Sequence, residues 1–228
     1  MKKSKNTEYT ATEKIAIKTE GFFQRNIKWL IIVAILIVLA VAAVAIVSVV
    51  NNNKNEENFN AVYSLEQSYN NLLTLDDTTS EYTTASDAFL ADADALIAGA
   101  KGYPSLKAEY LKGLYYANVE DYANALTAFE SVANKSNDTY LGPLALMNAA
   151  AVAENNGDQA KALEYFNKVW DDYGADAAES PKALFNIGRI YESQGDVELA
   201  KATYQQLVDQ YSTTSEYAKL AESRIVLL

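Results

Sequence analysis

Read only for apolar and polar positions, the chain changes character twice. Trp29 to Val50 is an unbroken run of 22 residues without a charge. At about 1.5 Å rise per residue, a helix of that length crosses a hydrocarbon core of about 30 Å. Beyond it, apolar residues recur at helical spacing. Phe59, Val62, Tyr63, Leu65, Tyr69, Leu72 and Leu73 mark one amphipathic helix, and Phe89, Leu96 and Ile97 mark a second that runs to about Ala100. Asp76-Asp77-Thr78-Thr79-Ser80 separates the two, and Gly102-Tyr103-Pro104 is expected to end the second. The last helix, Ser215 to Val226, is expected to close a stack with Tyr217, Leu220 and Ile225.

Between these outer helices one pattern occurs three times, at spacings of 37 and 38 residues. Gly113, Ala150 and Gly188 fall in step, as do Tyr116, Ala153 and Tyr191. So do Ala125, Ala162 and Ala200, and Phe129, Phe166 and Tyr204. Glu120, Gly157 and Gly195 divide each copy into two halves. A small residue, an aromatic, a turn, an alanine and a second aromatic describe a helix-turn-helix unit, which must stack on its neighbours to bury its apolar face. The helices are expected to be about twelve residues long, with no sheet, because every apolar pattern past Asn58 has a period of about 3.6 residues. The fold class is therefore all-α: one N-terminal transmembrane helix followed by an α-α superhelix.

The expected organisation is a basic tail (1–28), a membrane anchor (29–50), a polar linker (51–57), a helical hairpin (58–105), three repeats (106–211) and a capping helix (212–228). Charge gives this layout a direction. Residues 1–28 carry seven Lys or Arg against three Glu, whereas residues 51–228 carry 12 against 27 Asp or Glu. Positive charge before the span predicts a cytoplasmic N-terminus and an exported remainder. The apolar run is longer than the core of a cleaved signal peptide, so an uncleaved signal anchor is expected.

Composition removes most chemistry. With no histidine and no cysteine, there is no Ser-His-Asp triad, cysteine nucleophile, haem or iron–sulfur site, or zinc site of the usual ligands. No phosphate-binding glycine loop or nucleophile elbow occurs. A net charge of −11 argues against nucleic acid. No cofactor, metal or small-molecule substrate is expected, and Asp171, Asp172, Asp176 and Glu179 read as a solvated acidic face. A carboxylate-based enzyme, and a structural envelope protein with no binding groove, are the alternatives to an interaction module.

The repeat resembles the tetratricopeptide repeat (TPR). Leu184, Ile187, Gly188, Tyr191, Gly195, Ala200 and Tyr204 fall on that family's signature spacing, while Ala150 and Ala153 depart from it. Repeats longer than the family's usual length imply longer connections at Ser136-Asn137-Asp138 and Gly174-Ala175-Asp176. The resemblance implies a concave groove lined by the first helix of each repeat. By position it presents Lys107, Tyr110, Leu114 and Asn118, then Met147, Ala151 and Asn155, then Lys182, Phe185 and Arg189. The family's clamp for peptide carboxylates needs Lys, Asn and Arg where this chain has Tyr110, Met147, Ala151 and Phe185, so an extended apolar peptide or partner helix is the expected ligand. The alternative is that these side chains are simply core. The basic tail with Glu20 to Asn26, the single anchor and the repeat domain together resemble the YfgM-type ancillary subunit of the Sec translocon and the related periplasmic cell-division coordinator. That resemblance implies an inner-membrane protein with a periplasmic, chaperone-like domain. Its implied partners are the Sec translocon or exported polypeptides.

Overall fold

The computed structural model describes residues 10–136 and 139–228. Lys2, Lys3 and Lys5 of the basic tail, and Asn137-Asp138 of the first connection, lie outside the described residues. Nine helices and no strand are present among the described residues: α1 (Ala11–Leu72), α2 (Ser80–Gly99), α3 (Tyr103–Asn118), α4 (Tyr122–Lys135), α5 (Leu141–Asn155), α6 (Gln159–Tyr173), α7 (Ser180–Gln194), α8 (Val197–Tyr211) and α9 (Glu216–Leu227). They fall into two units, one ending at Glu56 and the other Glu57–Leu228.

In the first unit, α1 carries a stretch long and apolar enough to cross a membrane. Its large side chains, from Ile31 to Val50, are uncovered by protein. Residues 51–57, expected as a linker, are helical instead. No glycine or proline stands between Gly21 and Gly99, so nothing in that polar stretch interrupts the backbone hydrogen-bond ladder.

In the second unit, α3 packs on α4, α5 on α6 and α7 on α8, and each pair packs on the next through α4–α5, α6–α7 and α8–α9. The first helices also meet one another, α3 with α5 and α7 with α9. They therefore line a common inner face. The repeated residues explain this packing. Ala125, Phe129, Ala162, Phe166, Ala200 and Tyr204 are all buried. A β-carbon on Gly113 would lie 2.8 Å from Phe129 Cε1, and one on Gly188 would lie 2.5 Å from Tyr204 Cε1. In these two repeats glycine is the hole into which the aromatic of the next helix fits.

The turn is equally regular. Glu120, Gly157 and Gly195 have φ of 60°, 79° and 82°, the left-handed conformation that ends a helix. Aspartates follow. Asp121 accepts from the Asn124 N–H at 3.2 Å, and Asp158 from the Lys161 N–H at 2.9 Å, which caps the next helix. Glu120 occupies this conformation at a steric cost that glycine avoids. After allowing for the greater unfolded-state freedom of glycine, Glu120→Gly is expected to stabilise the repeat unit by about 0.5–1 kcal/mol. A raised urea midpoint with an unchanged slope would show it, and a lowered midpoint would contradict it.

Three expectations need correction. The repeat helices contain 14 to 16 residues rather than about twelve, so part of the long repeat period lies in the helices themselves. The first repeat begins at Tyr103, not Leu106, because Pro104 opens α3 rather than ending α2; its missing N–H costs nothing in a first turn. In α9, Ala218 and Ala221 are the buried residues, with Tyr217 and Ile225 half-buried against the core and Leu220 exposed.

Candidate functional site

The inner face is stitched together by one polar link at each junction between successive first helices. Lys107 Nζ lies 2.7 Å from Glu66 Oε1, joining α3 to α1. Asn148 Nδ2 donates to the Tyr110 hydroxyl at 2.7 Å, joining α5 to α3. Arg189 Nη2 reaches both oxygens of Glu154 at 2.7 Å, joining α7 to α5. Arg224 Nε donates to Glu192 Oε2 at 3.0 Å, and a second contact runs from Nη2 to Oε1, joining α9 to α7. The partners stand 41, 38, 35 and 32 residues apart, each close to one repeat. Arg224, followed by the Tyr204 hydroxyl at 3.0 Å, holds the Glu192 carboxyl below its ordinary value. Burial pushes the Tyr110 phenol up to about 12.

These links decide which of the expected groove residues are open. Tyr110 and Met147 are each 6% exposed and belong to the core. Tyr110 packs against Phe129 with ring centroids 5.7 Å apart. Both are corrections to the expected apolar strip: α3 and α5 approach closely enough to bury them. Lys107, Leu114, Phe185 and Arg189 are half-buried. Phe185 stands 5.6 Å from the Tyr204 ring and 5.8 Å from Tyr217, sandwiched rather than projecting. Lys107 and Arg189 are engaged with carboxylates, so neither is a free rim charge. Asn118, Ala151, Asn155 and Lys182 are exposed.

An aromatic row takes the place of the missing strip. Phe59 stacks on Tyr103 at 5.9 Å and 20° between rings, and Tyr103 tilts against Tyr140 at 6.2 Å. The two hydroxyls of Tyr103 and Tyr140 share a hydrogen bond of 2.9 Å. Phe59 is 51% and Tyr140 55% exposed. Phe59 lies two helical turns before Glu66, and Tyr103 one turn before Lys107, so the row borders the same inner face. Its members sit in an early helix, at a helix start and just before the first residue of α5. That is why a pattern aligned on the repeat signature passes over them. Three adjoining aromatic rings, two of them half open to solvent, suit protein contact better than they suit water.

Among the described residues, no group of three or more Asp or Glu could hold a metal ion. Asp76, Glu164 and Glu192 are held below their ordinary pKa, and so more readily ionised, by Thr78, Lys168 and Arg224 respectively, the opposite of what a general acid requires.

Comparison with known proteins bears on the repeats. Tetratricopeptide repeat family models match residues 110–177 and residues 182–214. No curated protein matches the chain. The matched segments cover the helix pairs whose glycines seat Phe129 and Tyr204, and together with that packing they support a tetratricopeptide repeat protein.

Proposed function

We propose that this protein is a membrane-tethered, non-catalytic scaffold whose repeat unit binds protein partners on the extracytoplasmic side. The observation that carries the reading is the half-exposed row Phe59–Tyr103–Tyr140, with the exposed positions Asn118, Ala151, Asn155 and Lys182 farther along the first helices. Tetratricopeptide repeats support protein partners in general. Export of the repeat unit is supported by the excess of Lys and Arg before the apolar run and of Asp and Glu after it. The partners we favour are translocating or newly exported polypeptides, as the resemblance to the YfgM-type translocon subunit suggests. A tether raises the effective concentration of the repeats at the membrane, so weak individual contacts suffice.

A photoreactive side chain at Asn155 of the full chain in its own membranes is expected to give a few discrete protein adducts, identifiable by mass spectrometry. An impermeant maleimide should label a cysteine at Gln205 in intact cells whose outer barrier, if any, has been opened. Absence of adducts would sink the scaffold reading, and labelling only after lysis would place the repeats in the cytoplasm.

A further inference from the structure

The helix does not begin at the apolar run. Before it, α1 already carries Lys14, Lys18, Arg25 and Lys28, at successive spacings of 4, 7 and 3 residues. At about 100° per residue these four fall within about 80° of the helix circumference. Glu20 lies about 120° round the helix from the middle of that stripe by the same measure. All four basic side chains are exposed, and none pairs with a carboxylate among the described residues. Gly21 falls inside the stripe, and a β-carbon there would meet nothing within 4 Å. The stripe is therefore continuous and unobstructed. It runs into the apolar segment at Lys28-Trp29, with the indole of Trp29 exposed where an interfacial aromatic belongs.

We infer that this stripe binds anionic phospholipid headgroups and holds an asymmetric shell of them around one side of the span. The inference rests on the reading of Trp29 to Val50 as membrane-spanning. Lys28 lies at the hydrocarbon boundary and Arg25 about 4.5 Å above it, at the level of the phosphates. Guanidinium and ammonium groups there meet phosphodiester oxygens, which they bind by charge-assisted hydrogen bonds. Lys18 and Lys14 stand about 15 and 21 Å along the helix from Lys28. They act through the surface potential, which decays over about 10 Å at moderate salt, and they are therefore the weaker contributors. An acidic protein segment would also meet a cationic stripe. Continuity with the apolar run, with Lys28 adjoining Trp29, favours lipid.

The test uses the full chain reconstituted in vesicles of phosphatidylcholine, with and without phosphatidylglycerol, and spin-labelled versions of each lipid as probes. Several-fold preferential association of the phosphatidylglycerol probe is expected, falling as salt rises. The variant Lys14→Gln, Lys18→Gln, Arg25→Gln, Lys28→Gln should lose the preference. A second variant keeps the charge and breaks the stripe: Lys18→Thr with Thr19→Lys, and Arg25→Gln with Gln24→Arg. It should lose at least half of the preference. Equal association of both probes with the wild type, or a preference unchanged in the four-residue variant or in the rearranged one, overturns the inference. So does selective capture of an acidic polypeptide by a chain that shows no lipid preference. Failure of the chain to float with phosphatidylcholine vesicles at all would instead indict the membrane-spanning reading.

Discussion

Phe129→Ala is expected to destabilise the repeat unit by about 3–5 kcal/mol. Phe129 is fully buried, with its ring against the backbone at Gly113 and 5.7 Å from the centroid of Tyr110. Removing the ring leaves a void between α3 and α4 that neither helix can close without losing its place in the stack. Because each pair of helices rests on the next, the loss should also weaken the α4–α5 junction. The complementary change, Gly113→Ala, forces a β-carbon to within 2.8 Å of the same ring. Overpacking of that kind costs about 1–3 kcal/mol, partly offset by the better helix propensity of alanine. The net expected loss is up to about 2 kcal/mol. Combining Gly113→Ala with Phe129→Leu should cost less than the sum of the single changes, since the smaller side chain makes room. Urea unfolding of the full chain in mild detergent measures these variants together with Phe129→Leu alone. Strict additivity would mean that the glycine does not act as the hole for Phe129.

The second large effect concerns binding. Replacing Phe59 and Tyr140 together by alanine is expected to weaken partner binding by roughly 30-fold or more, at about 1–2 kcal/mol for each aromatic anchor. Both rings are about half exposed, so the stability cost should stay near the worth of the ring contacts, about 0.5–1.5 kcal/mol each. Tyr110→Ala should behave in the opposite way. It removes a buried ring and leaves Asn148 Nδ2 with the Leu144 carbonyl alone as acceptor, which should cost about 3 kcal/mol of stability and disturb binding only through loss of structure. If Phe59→Ala with Tyr140→Ala unfolds the chain, the row is core. If the folded variant binds undiminished, the partner lies elsewhere.

The contrast between these residues shows what the chain's pattern reveals and what it conceals. The helix pairs, their turns and their seated aromatics were legible because Gly113, Phe129, Gly188 and Tyr204 act within one repeat, where period and residue type suffice. The state of the groove was not legible, since it depends on how far successive first helices stand apart. Tyr110 occupies a groove position by its place in the repeat, yet α5 approaches close enough for Asn148 to hydrogen-bond it and bury its ring. Arg189 looks like a rim charge until Glu154 is placed opposite it. A signal for these links does exist: Glu66 and Lys107, Glu154 and Arg189, and Glu192 and Arg224 are opposite charges about one repeat apart. The helical continuity of residues 51–57 was hidden by their asparagines, which weaken a helix without stopping it. Tyr140 stands immediately before α5, outside any amphipathic stripe, and only its contact with Tyr103 reveals the aromatic row.

On the proposed function, the inner face and not the outer one takes up protein. The most direct measurement places the same photoreactive side chain at Tyr140 or Asn155 on that face, and at Glu164 or Gln205 on the exposed sides of α6 and α8, in the full chain in native membranes. Discrete adducts from Tyr140 and Asn155, with little from Glu164 and Gln205, are the predicted result. Adducts of equal yield from both sets, or from Glu164 and Gln205 alone, would contradict the account.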